Sequence, residues 1–424
     1  MLGLPLHIFD MTEDVAFIRN WIKLNNTRRI NSTMTPISGD DHLSYEIDLR
    51  QYDTHGLAHD FQLCRHKHEQ LADEGSREAR QDWTKHIGPI DVAGCVNPWS
   101  GNFAAVTLPT CRPERLKIVT YIFEYAFLHD QVMESATKSA ENQVSGDDGF
   151  ATKSFVEMKA KTGSKLMQEK MVKELFRIDP ACAEVCVRAW KEMVDTTTKR
   201  DKDKVFTSMD EYLEYRMVDT GAPFVDKHMC FGMAIILDEK ELKQVRHIAR
   251  AAYAALGLCN DIFSFDVEYK DFQQTQKKCM TNVMWLFMKW HNIGIDEARK
   301  LAMIETRMHE LKFLRLRKEA DAELSPKLRR YVQGLAYQIA GNAAWSTNNP
   351  RYHLERSVYK DDMTDFDRSL ACYSKPDEDT PQFRRGSVAR QYSSIAKSSD
   401  RSSSTTGSSR SSISGSSQDE HTIC

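Results

Sequence analysis

From Ala249 to Cys259 every residue but Arg250 is apolar or small, and Asn260-Asp261-Ile262-Phe263-Ser264-Phe265-Asp266-Val267-Glu268 closes the run. A stretch of this length with no proline reads as the interior of a buried helix. On such a helix Asn260, Ser264 and Glu268, four apart, fall along one face. They offer an amide oxygen, a hydroxyl and a carboxylate, hard oxygen donors that suit Mg²⁺ while leaving room for waters and phosphate oxygens. The plain alternative is a polar stripe at the solvated end of a core helix.

The same economy of breakers extends through the chain. Its 424 residues contain 19 glycines and 12 prolines, below the usual share of about 7% and about 5%. Long unbroken runs and few alternating segments predict an all-α protein with one large core or two modest ones. A net charge of −3 leaves no footprint for a nucleic acid. No run approaches the length of a membrane span, and Met1 to Glu13 has no basic region ahead of its short apolar stretch. Ten cysteines are scattered. Cys182 and Cys186 could pair on a metal, but no second pair or histidine completes the set, so free thiols in a reducing compartment are expected. The expectation is a cytoplasmic protein.

Three regions follow from the text. Residues 1–44 form an N-terminal extension with one amphipathic stretch, Val15 to Ile22; residues 45–370 form the helical domain; residues 371–424 form a tail. Ser393 to Ser417 is too poor in apolar side chains to offset the entropy of ordering, so the tail is expected to be disordered. Arg65 to Gly75 predicts a polar helix, with Ser76 capping the next one. His66 and His68, two apart, point in different directions and are expected on the surface. Glu141 to Lys153 reads as a loop, Met280 to Trp290 as buried, and Glu297 to Glu319 as a solvated charged helix.

A helix opening at Arg112-Pro113 carries Phe123, Phe127, Asp130 and Glu134 along one face. Two carboxylates at that spacing repel, and burying them beside phenylalanines requires a cation between them. The alternative is that they face solvent near the Gly146 to Gly149 loop. Further on stand Arg216 and Asp219, just before Thr220-Gly221. After the Asn260 helix comes a helix from Leu328 to Trp345, a break at Asn348-Asn349-Pro350, and then Arg351-Tyr352.

In that order these elements resemble the motifs of class I terpene synthases. His129-Asp130-Gln131-Val132-Met133-Glu134 is similar to the aspartate-rich DDxxE-type motif, with Gln131 at the second acidic position. Asn260, Ser264 and Glu268 match the NSE motif, with Val267 where a basic residue is common. Arg216 and Asp219 resemble the diphosphate-sensing arginine and its linker, ahead of a helix break at Thr220-Gly221. Trp345 to Arg351-Tyr352 resembles the C-terminal RY signature. From about Tyr45 to Asp365 the chain is closest to the cyclase half of fungal bifunctional synthases of the fusicoccadiene and ophiobolin type. The resemblance implies a class I terpenoid synthase helical bundle around a central active-site cavity. It implies three Mg²⁺ ions held by Asp130, Glu134, Asn260, Ser264 and Glu268. The diphosphate is then bound by Arg216, Asn260, Arg351 and Tyr352. Arg216, Asp219, Arg351 and Tyr352 assist ionisation, and Phe123, Phe127 and Trp345 line the cavity. The implied substrate is a linear prenyl diphosphate, C20 geranylgeranyl diphosphate first and C25 geranylfarnesyl diphosphate second, with C15 disfavoured. A helical binding protein of the same fold without the chemistry is the alternative that Gln131 and Val267 favour. In the resembled group a prenyltransferase domain follows; here the serine-rich tail does, so a separate prenyltransferase is expected to supply the substrate. Asp361-Asp362-Met363-Thr364-Asp365 is a literal DDxxD, but its polar surroundings mark it as solvated surface.

Overall fold

Scarce breakers become long helices. A computed structural model describes residues 41–90, 92–142, 150–199, 204–275 and 277–353, and eleven α-helices dominate them. Strands β1 (Ser44–Ile47) and β2 (Leu63–His66) pair antiparallel, with Ser44 opposite His66. The helices are α1 (Glu69–His86), α2 (Phe103–Thr107), α3 (Pro113–Asn142), α4 (Phe150–Ile178), α5 (Pro180–Thr198) and α6 (Met209–Asp219). They continue as α7 (Ala222–Met233), α8 (Glu239–Gln273), α9 (Val283–His291), α10 (Ile295–Ala320) and α11 (Pro326–Ser346). Every described residue belongs to one unit of chain, Met1–Met363. Val15 to Ile22, the DDxxD at Asp361 and the serine-rich tail lie outside the described residues, as do the side chains of residues 131–142.

The apolar run that closes at Cys259 lies in α8, buried at Ala251, Ala252, Ala254, Ala255 and Leu258. This helix begins at a capping box in which Asp238 Oδ1 accepts from Glu241 N (2.8 Å) and Glu241 Oε2 accepts from Asp238 N (3.0 Å). It packs against α6, α7, α9, α10 and α11, while α3 packs against α1, α2, α4 and α7. A connection between α1 and α2 joins these two neighbourhoods. Glu124 of α3 accepts from Arg80 Nη1 (2.8 Å) and from Cys95 N (2.7 Å). Trp345 Nε1 of α11 donates to Cys95 O (2.9 Å), and Asn97 Nδ2 donates to Trp345 O (2.9 Å). The buried Glu124 carboxylate is therefore paired and hydrogen-bonded, as a buried charge must be. The eight cysteines among the described residues are free thiols, Cys182 and Cys186 included. No described helix is long and apolar enough to cross a membrane.

The structure departs from the sequence expectations in four places. Arg65 and His66 belong to a strand, and α1 runs unbroken through Gly75 and Ser76, both buried. Gly75 is there for close approach: a Cβ on it would lie 2.3 Å from the Lys117 carbonyl oxygen where α1 crosses α3. His66 is buried, not on the surface. Its Nδ1 accepts from His68 N (2.9 Å), so its Nε2 donates to Cys111 O (2.7 Å). Helix occupies both ends of the expected loop, since α3 reaches Asn142 and α4 starts at Phe150. Helix α10 is not simply solvated: Ala298, Ala302, Thr306, Glu310, Phe313 and Arg317 form a buried stripe. Within it Glu310 accepts from Ala58 N (2.9 Å) and Arg307 Nη1 (2.8 Å).

Two stability outcomes follow. Gly75→Ala gains about 1 kcal/mol of helix propensity but forces backbone against backbone, a cost of about 1–3 kcal/mol. The urea midpoint is expected to fall with an unchanged slope; a midpoint at or above the wild-type value contradicts the close crossing. His228 of α7 is fully buried beside Phe123 and Phe224, with Nδ1 donating to Phe224 O (2.8 Å) and Nε2 unpartnered. Burial pulls its pKa down from 6.5 to about 4. Unfolded chains therefore bind its proton first on acidification, and stability falls as the pH drops from about 6.5 to about 4, by at most about 3 kcal/mol. The non-titrating His228→Asn, which is no larger and whose amide N–H takes the place of the Nδ1 donor, is expected to flatten that part of the profile, measured by urea denaturation across the range.

Candidate active site

Helix α6 ends because Gly221 takes a left-handed conformation, φ +73°, which costs other residues strain and glycine little. Thr220 caps the end, its Oγ1 donating to Arg216 O (3.0 Å), and α7 starts at once with Pro223 in its first turn. The break leaves Arg216 in the last turn of α6, directed at the middle of α8. Its Nε donates to Asp261 Oδ1 (2.8 Å), Nη1 to Asp219 Oδ2 (2.6 Å) and Nη2 to Asn260 Oδ1 (2.7 Å). The Arg216 and Asp219 side chains are only 9% and 11% exposed, so this is no surface pair. Tyr215 donates to the other oxygen of Asp219 (2.6 Å).

Asp261, not singled out from the sequence, anchors this site. It is wholly buried, and besides Arg216 it accepts from Tyr212 Oη (2.5 Å) and Val283 N (3.0 Å). Burial pushes its carboxyl up to about 6, with the Arg216 charge pulling the other way. A signal for it existed: an acid set between Leu258, Cys259, Ile262 and Phe263 has to find a cation and hydrogen-bond donors. Tyr212 and Asn282, its neighbours here, carried no comparable sign.

Asn260 faces two partners. Its Oδ1 accepts from Arg216, and its Nδ2 donates to Tyr352 Oη (2.8 Å). One turn on, Ser264 Oγ donates to Asn260 O (2.8 Å) and keeps its lone pairs; a further turn on, Glu268 Oε2 accepts from Asn282 Nδ2 (3.0 Å). The α8 set is therefore oxygen in every member. Among the described residues no group of three or more histidine, cysteine or acidic side chains gathers as a metal site. A mixed amide, hydroxyl and carboxylate set with second lone pairs to spare fits a hard divalent cation and disfavours a soft one.

The opposite wall is α3. Phe123 is buried, Phe127 half-buried and Asp130 exposed. Glu134 lies on the helical backbone of α3, its side chain outside the described residues. The walls meet through the turn after α11. Asn349 Oδ1 accepts from Arg351 N (2.6 Å), and Asn349 O from Tyr352 N (3.1 Å) and His353 N (3.1 Å). From this turn Arg351 reaches back to α3, donating to Asp130 Oδ2 (2.8 Å) and Phe127 O (3.2 Å) with its guanidinium over the Phe127 ring. Tyr352 reaches across to Asn260 of α8. Burial pushes its hydroxyl up to about 12, so it stays protonated and, while accepting from Asn260, keeps its own hydrogen to donate. Trp345 stacks on Phe127 (5.4 Å, 20°) and meets Tyr352 (5.8 Å) and Phe103 (5.0 Å) edge-on; Phe103 continues to Phe123 (5.7 Å). The structure thus draws Asp130, Arg216, Asp219, Asn260, Arg351 and Tyr352 into one hydrogen-bonded neighbourhood. Phe123, Phe127 and Trp345 stand with Phe103 in one aromatic wall that adjoins it at Tyr352.

The chain is similar to known proteins. Residues 151–310, which contain Arg216, Asp219, Asn260, Ser264 and Glu268, match the family model for terpene synthase family 2, C-terminal metal binding. The variediene synthase of Aspergillus brasiliensis is 44% identical over 324 residues, 75% of this chain and 46% of that protein. The terpene cyclase ATR13 of Stachybotrys chlorohalonatus is 35% identical over 334 residues, 74% of this chain and 86% of that one. Fusicoccadiene synthase of Phomopsis amygdali is 29% identical over 386 residues, 82% of this chain and 53% of that protein. The chain thus spans about half the length of the variediene and fusicoccadiene synthases it matches and most of the length of ATR13. A mainly helical fold and 35% identity along most of a terpene cyclase lead to one conclusion: the chain belongs to the terpene synthase family.

Proposed function

We propose that the protein is a Mg²⁺-dependent class I terpene cyclase. In this reading it ionises geranylgeranyl diphosphate and closes the hydrocarbon into a polycyclic diterpene, releasing diphosphate. The observation that carries the reading is the Arg351-Tyr352 turn, whose two neighbouring side chains hold Asp130 of α3 and Asn260 of α8. Two motifs far apart in the sequence are joined there, with Arg216 bonded to the same Asn260.

Each residue then has a task suited to its chemistry. Asp130, Glu134, Asn260, Ser264 and Glu268 hold the metal from two facing helices, three ions in all. When bound, the Mg²⁺ ions neutralise charge on the leaving diphosphate. Arg216 and Arg351 are always charged and fork onto phosphate oxygens, and Tyr352 donates its hydroxyl hydrogen to one of them. Asp219 ties Arg216 to the Thr220-Gly221 break, so any movement of the guanidinium toward the diphosphate reaches that break. Phe123, Phe127 and Trp345 present aromatic faces that stabilise a carbocation and keep water away from it.

The test is incubation with Mg²⁺ and, separately, the C15, C20 and C25 prenyl diphosphates, followed by gas chromatography–mass spectrometry of a hexane extract. A cyclic hydrocarbon or alcohol from the C20 substrate is expected, and none when EDTA removes the metal. Product from the C25 substrate alone corrects the chain length; no product from any of the three overturns the cyclase reading. Asp130→Ala and Asn260→Ala are each expected to abolish turnover, and retained product in either overturns the site. Tyr352→Phe keeps the ring against Trp345 but removes a hydrogen bond to a charged group, worth about 1.5–3 kcal/mol. Its kcat/KM is expected to drop about 10- to 100-fold, with an unchanged circular dichroism spectrum.

A further inference from the structure

Asn282 stands just before α9, outside every motif described above, and it is completely buried. Three of the four hydrogen-bonding sites of its amide are used. Oδ1 accepts from Met284 N (2.9 Å), capping α9; Nδ2 donates to Asp261 O (2.9 Å) and to Glu268 Oε2 (3.0 Å). The partners settle the orientation of the amide: the Met284 N–H can only donate, and the Asp261 carbonyl and Glu268 carboxylate can only accept. Capping alone does not call for asparagine here, because serine, threonine or aspartate caps a helix as well. Of these, only asparagine also has N–H donors for the second task.

That second task is on Glu268. The glutamate is half-buried, and its long side chain has several rotamers to lose on being held in place. The Asn282 N–H fastens one carboxylate oxygen and leaves the other free. The same amide group holds the carbonyl of Asp261, whose carboxylate holds Arg216 and is itself capped by Val283 N of α9. One side chain therefore sets Glu268 in register with the anchor of Arg216.

We propose that Asn282 is a positioning residue that acts through Glu268, presenting its free carboxylate oxygen to the metal. This rests on the reading of Glu268 as a metal ligand. Groups that orient a metal ligand from behind typically matter about 10- to 100-fold in metal affinity.

The experiment measures the apparent Mg²⁺ affinity of the folded full-length protein by isothermal titration calorimetry, with saturating inorganic diphosphate as the co-ligand. Asn282→Ser keeps a capping oxygen and loses the N–H donors, and its Mg²⁺ affinity is expected to fall about 10- to 100-fold. In a Glu268→Gln background the same change is expected to have little further effect, because the residue it acts through is already altered. Wild-type affinity in Asn282→Ser overturns the proposal. An equal loss in both backgrounds overturns it too, since a purely structural role adds. If Asn282→Ser does not fold, Asn282→Asp, which also caps without donating, takes its place; failure of both to fold assigns the N–H donors to holding the fold together and removes the proposal. Absence of Mg²⁺-dependent diphosphate binding by the wild type removes the metal-site reading itself, a result distinct from the others.

Discussion

The buried pairing of Arg216 with Asp261 is the interaction on which the rest of this site depends. Neither group tolerates the interior alone, and removing one partner of such a pair typically costs about 3–5 kcal/mol because the other is stranded. Each is also satisfied elsewhere: Arg216 by Asp219 and Asn260, Asp261 by Tyr212, Val283 N and, at its carbonyl, Asn282. Helices α6, α8 and α9 are thereby held in one register, for a slip of any of them leaves the buried Asp261 short of a partner. In the proposed function the same guanidinium that neutralises Asp261 is aimed at the diphosphate, so anchoring and substrate binding are assigned to one group.

A second constraint is the turn that follows α11. Asn349, wholly buried, binds the backbone of Arg351, Tyr352 and His353, and Trp345 is fastened to Cys95. The two side chains that bridge α3 and α8 therefore leave a rigid base and not a loose end. The bridge is short and charged on the Asp130 side, neutral on the Asn260 side. In the proposed function that asymmetry suits a diphosphate, with the aromatic wall of Trp345, Phe127, Phe103 and Phe123 beside it.

Several misreadings share one cause. Gly75, His66 and Glu310 each look ordinary in the sequence: a helix stop, a surface histidine, a charge on a solvated helix. Their roles come from partners distant along the chain, namely the Lys117 backbone, the Cys111 carbonyl and the amide of Ala58. A glycine that ends a helix and one that lets two helices touch are the same residue until the second helix is present.

What the sequence determined by itself is what depends on neighbours. The 3.6-residue period placed Asn260, Ser264 and Glu268 on one face of α8, and Phe123, Phe127 and Asp130 on one face of α3. Scarce glycine and proline made the fold helical, and the glycine at 221 marked the break after Arg216. Tertiary structure alone decided which faces meet. It brought Tyr352 to Asn260, Arg351 to Asp130 and Asn282 to Glu268, and it made Asp261 the anchor of Arg216. Periodicity is a local property of the backbone, whereas the pairing of buried charges and amides is settled only when distant helices pack and exclude the water that would otherwise satisfy them.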